Sequence, residues 1–164
     1  FSQPQKWQCL APPIARHLAT KVMAEPPLSD QKCAPCARGT ETPAMPLAEI
    51  MERCRQVPLW QLSAAGDRIS RSFVAKNFVV AMAYLQQVGE IAEAEGHHPD
   101  LHLTEYRTVT IEVFSHSVKG LTPNDFILAA KIDMVEVEYS PKWLKGQPEV
   151  QQWLDQRQGR STSS

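Results

Sequence analysis

The first regular spacing of apolar positions begins only after residue 43 of the chain. Leu47, Ile50, Met51 and Cys54 recur at helical spacing, which predicts a short first helix. Residues 1–43 are instead rich in proline and small polar residues and have no sustained apolar period. Because such a segment can bury little apolar surface, we predict a poorly ordered leader that is dispensable for folding and turnover.

Alternating apolar and polar residues then predict strands. The clearest alternation lies at residues 60–63, 69–74 and 109–113, and a short stretch at residues 101–103 could form a further strand. Gly66-Asp67 is a hairpin turn signal between the first two.

Two further helices are predicted by apolar spacing and by capping residues. The longer one carries an apolar stripe of five residues, Phe78, Met82, Leu85, Val88 and Ala92. Gly96 follows it as a C-terminal cap. The last helix opens at Thr122, with Pro123 in its first position and Asp125 three residues after the cap, the arrangement of a capping box.

This order of elements predicts an α+β domain over residues 44–140, with antiparallel strands and helices on one face. Residues 141–164 are polar and are predicted to form an irregular tail. The chain has 164 residues, is 43% hydrophobic and carries a formal net charge of −1. One domain is therefore expected, without the basic surface typical of nucleic-acid binding and without an apolar run of the roughly 18 to 20 residues that cross a membrane.

The leader offers two further signals. Before Glu25 it contains basic residues and no acid, a composition that resembles the end of an organelle transit peptide; we expect a mitochondrial or chloroplast location, or otherwise a cytoplasmic one. All four cysteines lie in the first third of the chain, which favours a reducing compartment over a disulfide scaffold. Cys33-Ala34-Pro35-Cys36 has the spacing of half a zinc site or of a redox pair, but a second such motif is missing.

The residues best suited to chemistry are His97, His98 and His116. Histidine exchanges protons near neutral pH, and Pro99 restricts His98 to extended geometry. Adjacent imidazoles in an extended loop point to opposite sides, so they fit one small molecule better than one metal ion. A solvated loop is the ordinary alternative for His97-His98, and a structural role is the alternative for His116 at the end of its strand.

Two carboxylates accompany these histidines. Glu93 lies one helical turn before His97 and could orient an imidazole, although a solvated helix face explains it equally well. Asp125 completes a capping box and borders a helix N-terminus, where ligands often bind, so both roles stay open.

In order along the chain, these pieces resemble the signature of the pterin-4a-carbinolamine dehydratases over residues 47–137. The matching pieces are Glu93-x-x-x-His97-His98-Pro99, Tyr106, Ser115-His116-Ser117 and Leu121-Thr122-x-x-Asp125, with Trp60 after the first helix and Lys32-Cys33-Ala34-Pro35-Cys36 upstream, as in plant and bacterial members. The ordered combination is far more specific than any single piece.

The resemblance implies an α+β fold, with a four-stranded antiparallel sheet and three helices packed on one face, in a dimer or tetramer. It implies a hydro-lyase that removes water from 4a-hydroxytetrahydrobiopterin, or a folate equivalent, to give the quinonoid dihydropterin without metal or cofactor. His97, His98 and His116 would be catalytic. Glu93 and Asp125 would support them, and Trp60 would form a wall of the site.

Two points qualify the resemblance. Leu101 or Leu103 stands where many members have an aromatic residue, and a non-enzymatic role on the same scaffold is the alternative. Some relatives act as coactivators and chloroplast ones are thought to assist Rubisco assembly. The intact trio of histidines favours the enzyme, since a pure binding module does not need it.

Overall fold

The computed structural model describes residues 25–34 and 43–161. Five helices lie in these residues: α1 (Leu47–Cys54), α2 (Phe78–Glu95), α3 (Pro123–Ile132), α4 (Pro141–Leu144) and α5 (Pro148–Ser161). The four strands are β1 (Gln61–Leu62), β2 (Ile69–Val74), β3 (Asp100–Thr104) and β4 (Thr108–Val113). A single 3-10 turn, Leu28–Asp30, precedes them.

The strands form one antiparallel sheet in the order β1-β2-β4-β3. Alternation along β4 buries Val109, Ile111 and Val113 and leaves the residues between them half-buried, as expected for a sheet covered on one face. Buried residues of α1, α2 and α3 join these strand residues in one core. The predicted α+β class, with a four-stranded antiparallel sheet and helices, is confirmed.

Helix α2 ends at Gly96, as predicted, but the face that it buries differs from its predicted apolar stripe. The Asn77 side chain accepts a hydrogen bond from the Val80 amide at its start, and Gly96 ends it at a φ of +62°, a conformation that glycine adopts without strain. Phe78 and Met82 belong to the predicted apolar stripe, but they are 50% and 47% exposed, whereas Tyr84 is 1% exposed. The apolar spacing alone could not show that a buried polar partner accommodates the phenol of Tyr84.

That partner is a polar cluster inside the core. The Arg71 guanidinium lies 2.7 Å from Asp133 Oδ1 and donates to the Tyr139 hydroxyl at 2.6 Å. The Trp60 indole donates to the same Asp133 oxygen at 3.0 Å. Burial raises the pKa of the Tyr84 phenol to about 12, although Arg71 acts in the opposite direction. The phenol is therefore neutral at physiological pH.

The two ends of the chain differ from the sequence prediction. Part of the leader is ordered on the domain, because Leu28 is buried in the core and residues 33 and 34 bind α2 and α3. In the predicted irregular tail, α4 and α5 are regular helices. The Trp143 ring stacks on the Tyr139 ring, with the two ring centroids 5.5 Å apart. Arg157 donates to the backbone oxygens of Asp133 and Met134, just after α3.

A cation that binds carbonyl groups at a helix C-terminus satisfies groups that have no partner within the helix. Contacts of this kind order the tail despite its polar composition. In the part of the chain that the structure describes, no helix is both long enough and apolar enough to cross a membrane.

Candidate active site

The centre of the site is the carboxylate of Asp125, in the first turn of α3, which is 0% exposed. Its Oδ2 atom accepts a hydrogen bond from the Thr122 amide at 2.6 Å. The hydroxyl groups of Thr122 and Ser115 also donate to Oδ2, at 3.0 and 2.9 Å. The predicted capping box is present, and the Thr122 amide, the Thr122 hydroxyl and the Ser115 hydroxyl all donate to the same carboxylate oxygen. The other oxygen of the carboxylate is thus left for a different partner.

That partner is His97. Its Nε2 atom lies 2.7 Å from Asp125 Oδ1, and its side chain is 7% exposed. Gly96 turns the chain at the end of α2 and brings the next residue, His97, towards α3. An ionised carboxylate only accepts hydrogen bonds, so the contact fixes the proton of the imidazole on Nε2. The Nδ1 atom is then the one available to take up or release a proton.

His98 has a different environment from its neighbour. Its Nε2 atom lies 3.0 Å from Glu93 Oε2, with 65% of the histidine side chain and 83% of the glutamate side chain exposed. The predicted proximity of Glu93 to the histidine pair is therefore observed, but the glutamate meets His98 and not His97. An exposed pair of this kind contributes little to the stability of the fold. Because both side chains are exposed, a ligand can reach them.

His116 directly follows Ser115, whose hydroxyl donates to Asp125. The alternation of β4 continues past its end, so Ser115 is buried and His116 is exposed. The His116 ring packs against Phe114 with centroids 4.3 Å apart. The Arg68 guanidinium lies 4.7 Å from the centre of the same Phe114 ring and is bound to Glu112 at 3.0 Å.

Five of the six predicted site residues thus fall into three separate contacts, His97 with Asp125, His98 with Glu93 and His116 with Phe114, and Trp60 belongs to none of them. The indole of Trp60 is 5% exposed and donates to Asp133 in the core cluster, so its role as a wall stays a prediction. The predicted capping box includes the bond from the Thr122 amide to Asp125, but sequence reasoning missed the bonds from the Ser115 and Thr122 hydroxyls to the same carboxylate. Both residues stand in the quoted motifs, and the inward position of Ser115 could have been read from the alternation of β4.

The arrangement is suited to proton transfer. It offers one buried imidazole with a fixed proton, two exposed imidazoles and accompanying carboxylates. Among the described residues, no group of three or more histidine, cysteine or acidic side chains is placed to hold a metal ion. Cys36, the second cysteine of the predicted half-site, lies outside those residues.

Comparison with known proteins agrees with this chemistry. The family model described as pterin 4 alpha carbinolamine dehydratase matches residues 43–135. A relative from Arabidopsis thaliana, named pterin-4-alpha-carbinolamine dehydratase 2, mitochondrial, is 42% identical over 68% of this chain, and the match spans 60% of the relative's length. A putative pterin-4-alpha-carbinolamine dehydratase from Methylococcus capsulatus is 37% identical over 68% of this chain and 95% of its own.

A solved structure is also similar. The crystal structure of a transcriptional coactivator/pterin dehydratase from Brucella melitensis has a TM-score of 0.52 and 30% sequence identity, covering 55% of this chain and 95% of that one. The family model covers more than half of the chain, and the bacterial relative is matched over nearly its whole length. The chain therefore belongs to the pterin-4a-carbinolamine dehydratase family, a family of hydro-lyases, and the dehydratase function predicted from its sequence is confirmed.

Proposed function

We propose that the protein removes water from 4a-hydroxytetrahydrobiopterin, or a folate equivalent, by acid and base catalysis at His97, His98 and His116. The observation that carries this proposal is the 2.7 Å contact between His97 and a fully buried Asp125. A buried carboxylate that fixes the tautomer and the direction of an imidazole is a frequent arrangement for a histidine that transfers protons.

The reaction requires two proton transfers. An acid protonates the hydroxyl group on ring carbon 4a, and the carbon–oxygen bond breaks as water leaves. A base removes the proton from the adjacent ring nitrogen, whose electron pair forms the new double bond to that carbon. One positioned acid or base contributes typically about 10²- to 10⁴-fold to the rate.

The environments of the histidines suggest how these roles are distributed. His97 keeps its Nε2 proton on Asp125, so its Nδ1 atom can accept a proton from the substrate. His98 and His116 are exposed and can approach the substrate from the solvent side. Glu93, at 3.0 Å from His98, can accept a hydrogen bond from that imidazole and so hold its direction.

The direct test is the dehydration of a synthetic 4a-carbinolamine, followed by absorbance, with and without the purified protein. We expect acceleration over the spontaneous reaction in proportion to protein concentration, with an inert protein of equal concentration as control. A rate that does not depend on protein concentration would refute the proposal.

We also propose that the protein assembles into a dimer, or into a tetramer built from dimers. Helix α2 exposes Phe78, Val79 and Met82 by 50%, 73% and 47%, next to one another on its first turns. Apolar side chains grouped in this way commonly mark an interface, and closed symmetric oligomers are the usual result. Light scattering at micromolar concentration should give a dimer or tetramer mass; a monomer mass would contradict the proposal.

For location, we propose a mitochondrion or chloroplast. The basic, acid-poor composition before Glu25 supports this, and so does the Arabidopsis relative that is named mitochondrial. Fluorescence imaging of the tagged full chain tests the proposal, and signal confined to the cytosol would count against it.

A further inference from the structure

Residues 25–34 are the part of the leader that the structure describes, and we call them the strap; the strap binds α2 and α3 close to His97 and Asp125. It is seated by Leu28, which is 6% exposed and belongs to the core, and its 3-10 turn packs against α3. None of the chemistry described above uses these residues. Their contacts at residues 33 and 34 are nevertheless made within two positions of the catalytic pair.

The first contact is with the start of α3. The Ala34 amide donates to Asn124 Oδ1 at 2.9 Å, and Asn124 Nδ2 donates to the Ala34 carbonyl at 2.9 Å. This paired exchange fixes both ends of the side-chain amide. Asn124 directly precedes Asp125, so the strap holds the first turn of α3 at the residue next to the carboxylate.

The second contact is with the end of α2. The Cys33 amide donates to Glu95 Oε2 at 2.9 Å, and Lys131 of α3 lies 2.5 Å from Glu95 Oε1. Burial raises the pKa of the Glu95 carboxyl, but the bonds from Cys33 and Lys131 outweigh this and lower it overall. Glu95 is therefore ionised at neutral pH, and it stands two positions before His97.

We propose that the strap, acting through Glu95 and Asn124, positions His97 against Asp125 for the dehydration, so that this part of the leader is needed for full turnover, contrary to the prediction from its sequence. Two consecutive strap residues bind the last residue of α2 and the second residue of α3, so they fix the distance between the two helix ends. The His97–Asp125 contact closes the gap between the same two ends. Glu95 and Asn124 are positioning residues, since they act through their neighbours, and the effect on turnover rests on the proposed dehydration.

The test compares four variants in the full chain. Glu95→Ala removes the acceptor for the Cys33 amide, whereas Glu95→Gln keeps an acceptor oxygen and loses only the charge that faces Lys131. Asn124→Ala removes both bonds to Ala34. Glu90→Ala is the matched control, because Glu90 is an exposed residue of α2 whose carboxylate accepts a hydrogen bond from the Gln86 side chain of the same helix.

We expect Glu95→Ala and Asn124→Ala to lower kcat by roughly 10- to 100-fold with little change in KM, the size of effect that displacement of a catalytic group produces. Glu95→Gln should retain most of the activity, and Glu90→Ala all of it. All assays are made well below the measured melting temperature of each variant. Unchanged kcat in folded Glu95→Ala and Asn124→Ala, or equal losses in Glu95→Ala and Glu95→Gln, would overturn the proposal.

A second readout does not depend on turnover. The nitrogen chemical shifts of the His97 ring report which nitrogen carries the proton and whether it is hydrogen-bonded. We expect the shifts of Glu95→Ala and Asn124→Ala to move towards those of a free imidazole, and those of Glu90→Ala to match the unaltered protein. If the shifts move while the unaltered protein has no dehydratase activity, the positioning role stands and the proposed reaction fails.

Discussion

Replacement of His97 by alanine is expected to lower turnover by roughly 100-fold or more while the protein stays folded. The reason is the role in proton transfer that we propose for His97, because the loss of a general acid or base typically costs about 10²- to 10⁴-fold. The variant also leaves Asp125 Oδ1 without its partner at 2.7 Å. We expect that loss to cost about 1 to 3 kcal/mol of stability, as for other buried acceptors, and a melting curve should still show a cooperative transition.

His116→Ala should reduce turnover by a similar factor at lower cost in stability, because His116 is exposed. The double variant should lose less than the product of the two factors, since groups that act together are not additive. The control is His102→Ala: His102 is an exposed residue of β3 outside the motif. Equal losses for His102 and His97, or full activity in both motif variants, would show that the catalytic assignment is wrong.

The largest expected loss of stability comes from Arg71→Leu. Arg71 and Asp133 are 3% and 6% exposed, so the variant leaves a buried carboxylate without its cation. Breaking a buried ion pair in this way costs roughly 3 to 5 kcal/mol. Urea unfolding should therefore show a clear decrease in the free energy of unfolding, and Arg71→Leu with Asp133→Leu should recover part of it, because no buried charge is then left alone.

A matched control is available on the surface. Lys76 and Glu138 form an ion pair at 2.7 Å with 55% and 65% of their side chains exposed. Lys76→Ala should change the free energy of unfolding by no more than about 1 kcal/mol. If Arg71→Leu cost no more than this control, the core cluster would not contribute in the way its burial indicates.

The elements of the domain could be predicted where sequence pattern and packing agree. The β4 alternation, the Gly66-Asp67 turn and the capping box of α3 are local signals, and each is observed. The buried face of α2 was predicted wrongly at Phe78 and Met82, because the spacing of apolar residues does not distinguish a core from an exposed apolar patch. Helix α5 was missed because its order depends on contacts such as that of Arg157 with the end of α3.

For the site, the sequence yields residue types and order but not partners. The histidines and Asp125 could be proposed from the family motif, and Glu93 was rightly placed near the histidine pair. The contact of Glu93 with His98 depends on how Gly96 turns the chain, which no local pattern specifies. The bonds of Cys33 and Ala34 to α2 and α3 join residues far apart in sequence, so spacing could not predict them.

Asp125 both caps α3 and binds His97, so local unfolding at the start of α3 lowers the fraction of molecules in which His97 is held in place. The same carboxylate closes the first turn of α3 through the Thr122 amide and holds the His97 ring. When that turn opens, as helix ends do more readily than cores, the imidazole is released in the same event. Each decrease of about 1.4 kcal/mol in the free energy needed to open this turn raises the population of opened molecules tenfold. A substitution that weakens the cap therefore lowers activity, and the opening equilibrium of the first turn of α3 determines by how much.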